Sequence, residues 1–231
     1  NKRGQMAIFI ILAIVIVAGV LGYLLVRGLI GGTGTNAELQ QVYDYYSQCI
    51  EEQTKAAIDL AETQGGNVYV DDYIPGSEYM PFSNQLNFLG FPVPYWYYAS
   101  GNGLIKEQVP SKTDIENGIA RYIDENIAKC NFDEFYKQGY DISFGEPSAK
   151  VKINDLSVDV SLANDLSVSK GDVSGRKTSH SASVSSKLGK FYNEAKEIYA
   201  KEKSEAFLEK YAVDVLYLYA PVSGVELQCG P

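Results

Sequence analysis

The stretch that decides the fold runs from Leu156 to Ser169 and reads LSVDVSLANDLSVS. Apolar and polar residues alternate along it, which is typical of a β-strand with one buried face and one face in water. Residues 141–144 and 150–153 alternate in the same way, so we predict an antiparallel β-meander. The polar run 176–186 is expected to be an edge strand or an exposed loop. The turns are expected at Asn154-Asp155, Asn164-Asp165 and Lys170-Gly171-Asp172.

Three segments around this meander show helical spacing instead. The first covers residues 37–63, and the second, 111–130, opens with a capping box at Ser111. The third covers 188–218, although its end also fits a strand. Apolar residues fall on one face of each segment. The predicted fold class is therefore α+β, with amphipathic helices packed on the meander and an amino-terminal transmembrane helix before them.

Between the first two helical segments lies the densest aromatic run of the chain, residues 88–98, FLGFPVPYWYY. Three interpretations stay open: a proline-restrained strand whose aromatics cap the helix stripe, a surface that binds a partner, or a belt at the membrane interface. A short strand is also expected at 68–70. The candidate interaction surface consists of Phe91, Tyr95, Trp96, Tyr97 and Tyr98.

The amino-terminal part contains an uncharged apolar run from Met6 to Val26. At about 1.5 Å per residue, a helix over this run extends roughly 31 Å, close to the hydrocarbon thickness of a bilayer. A buried helix of a large core and a cleaved secretory signal are the alternatives. The rest of the chain is too short to enclose such a helix, and the apolar region of a signal is shorter. We therefore predict an uncleaved membrane anchor whose partner is the lipid bilayer.

The charges that flank this run predict its orientation. Lys2 and Arg3 precede it and only Arg27 follows closely, so the positive-inside rule places the amino terminus in the cytoplasm. The expected layout is an anchor at 1–27, a flexible Gly-rich linker at 28–36 and an extracytoplasmic α+β domain at 37–231. Because the chain starts with Asn and ends in Cys-Gly-Pro, we also expect a segment of a longer reading frame, truncated at its carboxyl end.

The residues KRGQMAIFI, 2–10, resemble the amino-terminal signature of archaeal class III signal peptides. In that family of type IV pilins and related surface proteins, a prepilin peptidase cuts after the residue matching Gly4 and leaves Gln5 first. The opening is also similar to that of single-pass surface proteins of small-genome archaea. The resemblance implies either a pilin-like filament subunit or an anchored surface protein. Glycines at 28, 31, 32 and 34 interrupt the helix and favour the tether over a continuous pilin stalk.

Composition and motifs exclude several classes of function. A net charge of −9 argues against nucleic acid, because a phosphate-binding surface needs a basic excess. The single histidine, His180, lies in a Ser-rich run and is interpreted as a polar loop residue. The three cysteines lack CxxC spacing, so they predict no metal site. The sequence contains no glycine motif of the kind that binds phosphate, so we expect no cofactor. We expect no catalytic residues; an enzyme ranks third among the hypotheses.

The cysteines carry one structural prediction. Cys49 and Cys130 lie on the apolar sides of two helices, and outside the cell they are expected to form a disulfide. Two buried thiols are the alternative. Cys229 either pairs beyond residue 231 or stays free. The leading hypothesis is a structural or interaction protein of an archaeal cell surface, which contacts other surface proteins or itself; the pilin-like subunit is second.

Overall fold

The computed structural model describes residues 37–76, 83–99 and 105–219. It confirms an α+β fold with antiparallel sheets. The helices are α1 (Ala37–Thr63), α2 (Lys112–Asn126), α3 (Asp133–Lys137), α4 (Leu188–Glu205) and α5 (Phe207–Tyr219), with a 3₁₀ turn at Ile127–Lys129. The strands are β1 (Gln85–Phe88), β2 (Phe91–Pro94), β3 (Tyr97–Ala99), β4 (Ile105–Glu107), β5 (Asp141–Phe144), β6 (Ser148–Ile153), β7 (Ser157–Lys170) and β8 (Val173–Ser185).

The chain divides into two compact units, and the first comprises residues 37–46, 131–144 and 165–177 of the described chain. Its core is an aromatic cluster centred on Phe132, whose ring lies 5.1 Å from Tyr45 and 5.2 Å from Phe144. The Tyr45 hydroxyl donates to the Asn131 carbonyl at 2.7 Å. The Phe132–Tyr45 contact is edge-to-face, and such packing adds to the stabilisation from burial alone.

Within the described chain, the second unit comprises residues 47–76, 83–99, 105–130, 145–164 and 178–219. Helix α2 packs against strand β6 with its isoleucines, of which Ile119 and Ile123 are fully buried. Two carboxylates of α2 also accept strand amides: Asp124 from Ala149 N at 2.8 Å, and Glu116 from Ile153 N at 2.9 Å. Burial raises the pKa of Asp124. Helix α2 therefore provides both apolar side chains for the core and carboxylates that accept hydrogen bonds from the backbone amides of β6.

The central strand of the meander is longer than predicted. β7 is continuous through Asn164 and Asp165, so the turn expected there is wrong. Asn164 is buried and its amide donates to the Gly145 carbonyl at 2.9 Å, while Asp165 forms an ion pair with Arg176. Both turn-forming side chains thus have tertiary partners that outweigh their local preference. β7 pairs with β5, β6 and β8, and its alternating residues are buried as predicted.

The first two helices agree with prediction and the third segment does not. Helix α1 has the predicted bounds, and the Ser111–Asp114 capping box is present on α2, which ends early in the 3₁₀ turn. The third segment is two helices, broken at Ala206, whose φ of 49° is left-handed. Residues 213–219 are helical, so the strand alternative for them is wrong.

Two smaller predictions are also wrong. Residues 68–70 form no strand; they lie in an irregular segment in which Val68 packs against Gly118 of α2. His180 is not a loop residue but lies in β8, 1% exposed, with Nε2 3.1 Å from the Asn164 carbonyl. Its neighbours in sequence are exposed serines, so the local sequence did not indicate that His180 is buried.

Several predictions fall on residues that the structure does not describe: the anchor and linker, the processing site at Gly4 and Gln5, and Cys229. Within the described ranges, no helix combines the length and apolarity that a membrane crossing requires.

Candidate interaction surface

Strands β1 and β2 form a hairpin that presents the first part of the aromatic run. Phe88 pairs with Phe91, and the two-residue turn between them is Leu89-Gly90. Both turn residues have positive φ, 52° and 91°, and Asn87 Oδ1 accepts the Gly90 amide at 3.0 Å. Such tight hairpin turns favour Asn or Gly at both positions, so a leucine here is strained.

The apolar side chains of this hairpin are left in solvent. Leu86 and Phe88 alternate on one face and are joined there by their cross-strand neighbours Phe91 and Val93. Leu89 at the tip is 84% exposed and Phe88 58%. Residues 83–99 contain no charged side chain. The hairpin is therefore an exposed apolar surface without charge, which we call the hairpin surface (Leu86, Phe88, Leu89 and Phe91).

Trp96 fixes the base of the hairpin to the end of helix α1. Its indole Nε1 donates to the Gly65 carbonyl at 2.9 Å. Gly65 has a φ of 63°, and a Cβ there would lie 3.1 Å from Val93. The Trp96 ring also lies edge-to-face with Tyr199 of α4, 5.7 Å between centroids. Trp96 is half-buried, so it positions the hairpin rather than serving as its contact residue.

A charged network borders this anchor. Glu107 of β4 accepts from the Tyr199 hydroxyl at 2.9 Å and from Lys203 Nζ at 2.6 Å. These bonds lower the pKa of Glu107, Lys203 contributing most. Partial burial and the bond to Glu107 raise the pKa of Tyr199 to about 12. The network therefore keeps Glu107 ionised and Tyr199 neutral across the physiological pH range.

Two clefts meet at Trp96. One, of about 370 Å³, is mostly apolar and is lined by residues such as Ile115, Leu188 and Tyr192. The Tyr192 hydroxyl in it already donates to the Pro110 carbonyl at 3.0 Å. The other, of about 410 Å³, adds Glu202, Lys203 and Glu209 to the aromatic wall.

The predicted surface residues are only partly brought together. Phe91 lies in the hairpin surface and Tyr97 is exposed on β3, opposite Glu107. Tyr95 and Trp96 are half-buried, so they contribute less to a contact surface than predicted, and Tyr98 lies in β3 opposite Lys106.

The predicted interaction residues leave out Leu86, Phe88 and Leu89, all of which are exposed, although Phe88 and Leu89 open the predicted aromatic run 88–98. No turn signal marked the hairpin tip, because Leu89-Gly90 is not among the dipeptides that predict a two-residue hairpin turn.

The cysteines are joined as predicted: Cys49 of α1 and Cys130, just after the 3₁₀ turn, form a disulfide that closes a sequence separation of 81 residues. Cys49 is buried and Cys130 half-buried. In residues 37–76, 83–99 and 105–219, no three His, Cys, Asp or Glu side chains converge as metal ligands.

Comparison with known proteins gives no relative. No protein-family model matches this chain, and no curated protein or solved structure matches it.

Proposed function

We propose that this chain is a membrane-anchored structural or interaction protein of an archaeal cell surface, with residues 28–231 outside the cell. The apolar run Met6 to Val26 supplies the anchor, and the basic pair before it supplies the orientation. The Cys49–Cys130 disulfide supports an extracytoplasmic site, because such bonds persist mainly in oxidising compartments.

The observation that carries the contact role is the hairpin surface. A soluble domain gains nothing in folding from a leucine that is 84% exposed on strained backbone. Large exposed apolar side chains in an uncharged patch are typical of interaction sites. The hairpin surface is therefore assigned to contact with another protein.

The location is tested on the full chain in cells. We expect the protein in the membrane fraction after an alkaline wash, with residues 37–219 removed by protease added to intact cells. A non-reducing gel should show the disulfide without added oxidant. A protein protected from external protease would contradict the proposed orientation.

The contact role is tested with a photoreactive amino acid. The full chain carries it at Leu89 or, as a control, at Leu156, which is 63% exposed but outside the hairpin. Irradiated intact cells should give discrete adducts from position 89 and none from position 156. Equal yields from both positions would contradict the proposal.

The pilin-like filament subunit remains the second candidate because of the residues KRGQ at 2–5. In that case cleavage after Gly4 leaves Gln5 as the first residue, and the apolar helix packs in a fibre core. Mass spectrometry of the mature amino terminus separates the two: a Gln5 start supports the filament subunit, and an intact Lys2-Arg3 excludes it.

A further inference from the structure

The cleft of about 410 Å³ beside Trp96 is lined by three aromatic side chains. The rings of Trp96 and Tyr199 meet at 74° with 5.7 Å between their centroids, so they form a corner rather than a flat stack. Tyr97 lies directly opposite Glu107 in the pairing of β3 with β4, and Glu107 accepts the Tyr199 hydroxyl, which brings the third ring to the same place. Because aromatic faces carry negative charge density, such a corner can hold a cation within about 6 Å of a ring.

Carboxylates add negative charge to the helical side of this cleft. Glu202 of α4 and Glu209 in the first turn of α5 both line it. One oxygen of Glu202 accepts the Leu208 amide at 2.8 Å, and a carboxylate has further lone pairs that a ligand can use. Lys203 also lines the cleft, but its ammonium is already paired with Glu107 at 2.6 Å. Three carboxylates thus stand against one ammonium group, so the local charge favours a cation.

Rings and carboxylates together select the class of cation. A metal ion needs several converging ligands, and in the part of the chain that the structure describes no three His, Cys, Asp or Glu side chains converge in that way. A primary ammonium is strongly hydrated and loses much of that hydration in an aromatic site. A methylated ammonium is the cation that aromatic cages recognise. The volume of the cleft is in the range of small-molecule sites, about 300–1,000 Å³.

We propose that this cleft binds a methylated ammonium group. The rings of Trp96, Tyr97 and Tyr199 contact its methyl groups, and Glu202 and Glu209 balance its charge. The group can belong to a free small molecule or to a methylated lysine side chain of a partner, since both present the same chemistry. The site does not use the hairpin surface and does not rest on the proposed contact role, so either can fail without the other.

The charge requirement is tested with choline and its neutral isostere, 3,3-dimethylbutan-1-ol. Trp96 is the single tryptophan of the chain, so tryptophan fluorescence reports binding at this cleft directly. In a maltoside detergent, which carries no ammonium group, the full chain should bind choline at least about ten-fold more tightly than the isostere. Equal affinity, or no saturable change with choline, overturns the proposal.

An acetylated trimethyl-lysine amide, titrated in the same way, distinguishes the two sources of the group. Tighter binding of the lysine derivative than of choline assigns the site to a side chain of a partner, and tighter binding of choline assigns it to a free ligand. Either result supports recognition of a methylated ammonium. Equal binding of the trimethylated and the unmethylated lysine derivative overturns it, because the methyl groups would then contribute nothing.

Two matched pairs of variants test the residues. Tyr97→Leu should weaken choline binding about five-fold, whereas Tyr97→Phe, which keeps the ring, should leave it nearly unchanged. Glu209→Gln should weaken it about three-fold, whereas Glu205→Gln removes the same charge outside the lining of the cleft and should have a smaller effect. Thermal unfolding checks that each variant is folded. Equal losses within either pair overturn the proposed site.

Discussion

Helix α2 and the β1–β2 hairpin lie in the same unit and use their apolar residues in opposite ways. Ile119 and Ile123 of α2 are 0% exposed against β6, whereas Phe88 and Leu89 of the hairpin are left in solvent. The two backbones differ as well. Helix α2 begins with a complete capping box, whereas the turn of the hairpin contains a leucine with strained, positive φ. Apolar residues in α2 stabilise the fold, and those in the hairpin are available for contact.

The largest expected effect on stability comes from the buried residues of α2. Ile119→Ala should lower the free energy of unfolding by about 2–5 kcal/mol, because it opens a cavity where the side chain is fully buried. Denaturant unfolding of the full chain in detergent measures it. The matched variant Phe88→Ala should stay within about 0.5 kcal/mol of wild type. Similar losses from both would show that the hairpin is part of the core.

Removal of the Cys49–Cys130 disulfide should have the second largest effect on the free energy of unfolding. Cys49→Ser combined with Cys130→Ser should lower the free energy of unfolding by about 2–4 kcal/mol, since the disulfide restricts the unfolded chain. Thermal unfolding measured by circular dichroism follows it, with Cys229→Ser as the single-thiol control. Unchanged stability in the double variant would mean that the bridge is not formed in the native protein.

A substitution at the tip of the hairpin should raise stability rather than lower it. Leu89→Asn should raise stability by up to about 1 kcal/mol, because asparagine adopts positive φ more readily than leucine. The same variant should lose the photo-adducts that depend on this surface. Chemical denaturation measures the gain, with Leu156→Asn as the control for a general effect of polarity. A loss of stability would show that Leu89 contacts the fold.

The smallest effect concerns pH. The folded pKa of Glu107 lies below its unfolded value of about 4.3, so its bonds to Lys203 and Tyr199 stabilise the fold above that pH. This contribution is lost as the pH falls through the folded pKa. Glu107→Gln should therefore be less stable than wild type at pH 7 and close to it at pH 3 in denaturant titrations. Glu209→Gln removes a charge from α5 as a control; a difference independent of pH would contradict the assignment.

The sequence predicted those elements whose signals are local and agree with their packing. Helix α1 follows from its apolar stripe, and α2 from the Ser111–Asp114 box. The Asn164-Asp165 turn failed because a buried amide bond to Gly145 and an ion pair to Arg176 act across strands, out of reach of local preference. The hairpin turn was missed because Leu89 is a residue that turn rules exclude. The break at Ala206 likewise carries no glycine to mark it.

The Cys49–Cys130 bridge encloses the β1–β2 hairpin, the paired strands β3 and β4, and all of helix α2 between its ends. A peptidase that cuts the chain once anywhere inside this span leaves two fragments that are still one covalent molecule. Where the protein meets a peptidase, the β1–β2 hairpin would stay attached to the protein after such a cut. Reduction would be needed to release the pieces, and comparing gels with and without reductant makes any cut visible.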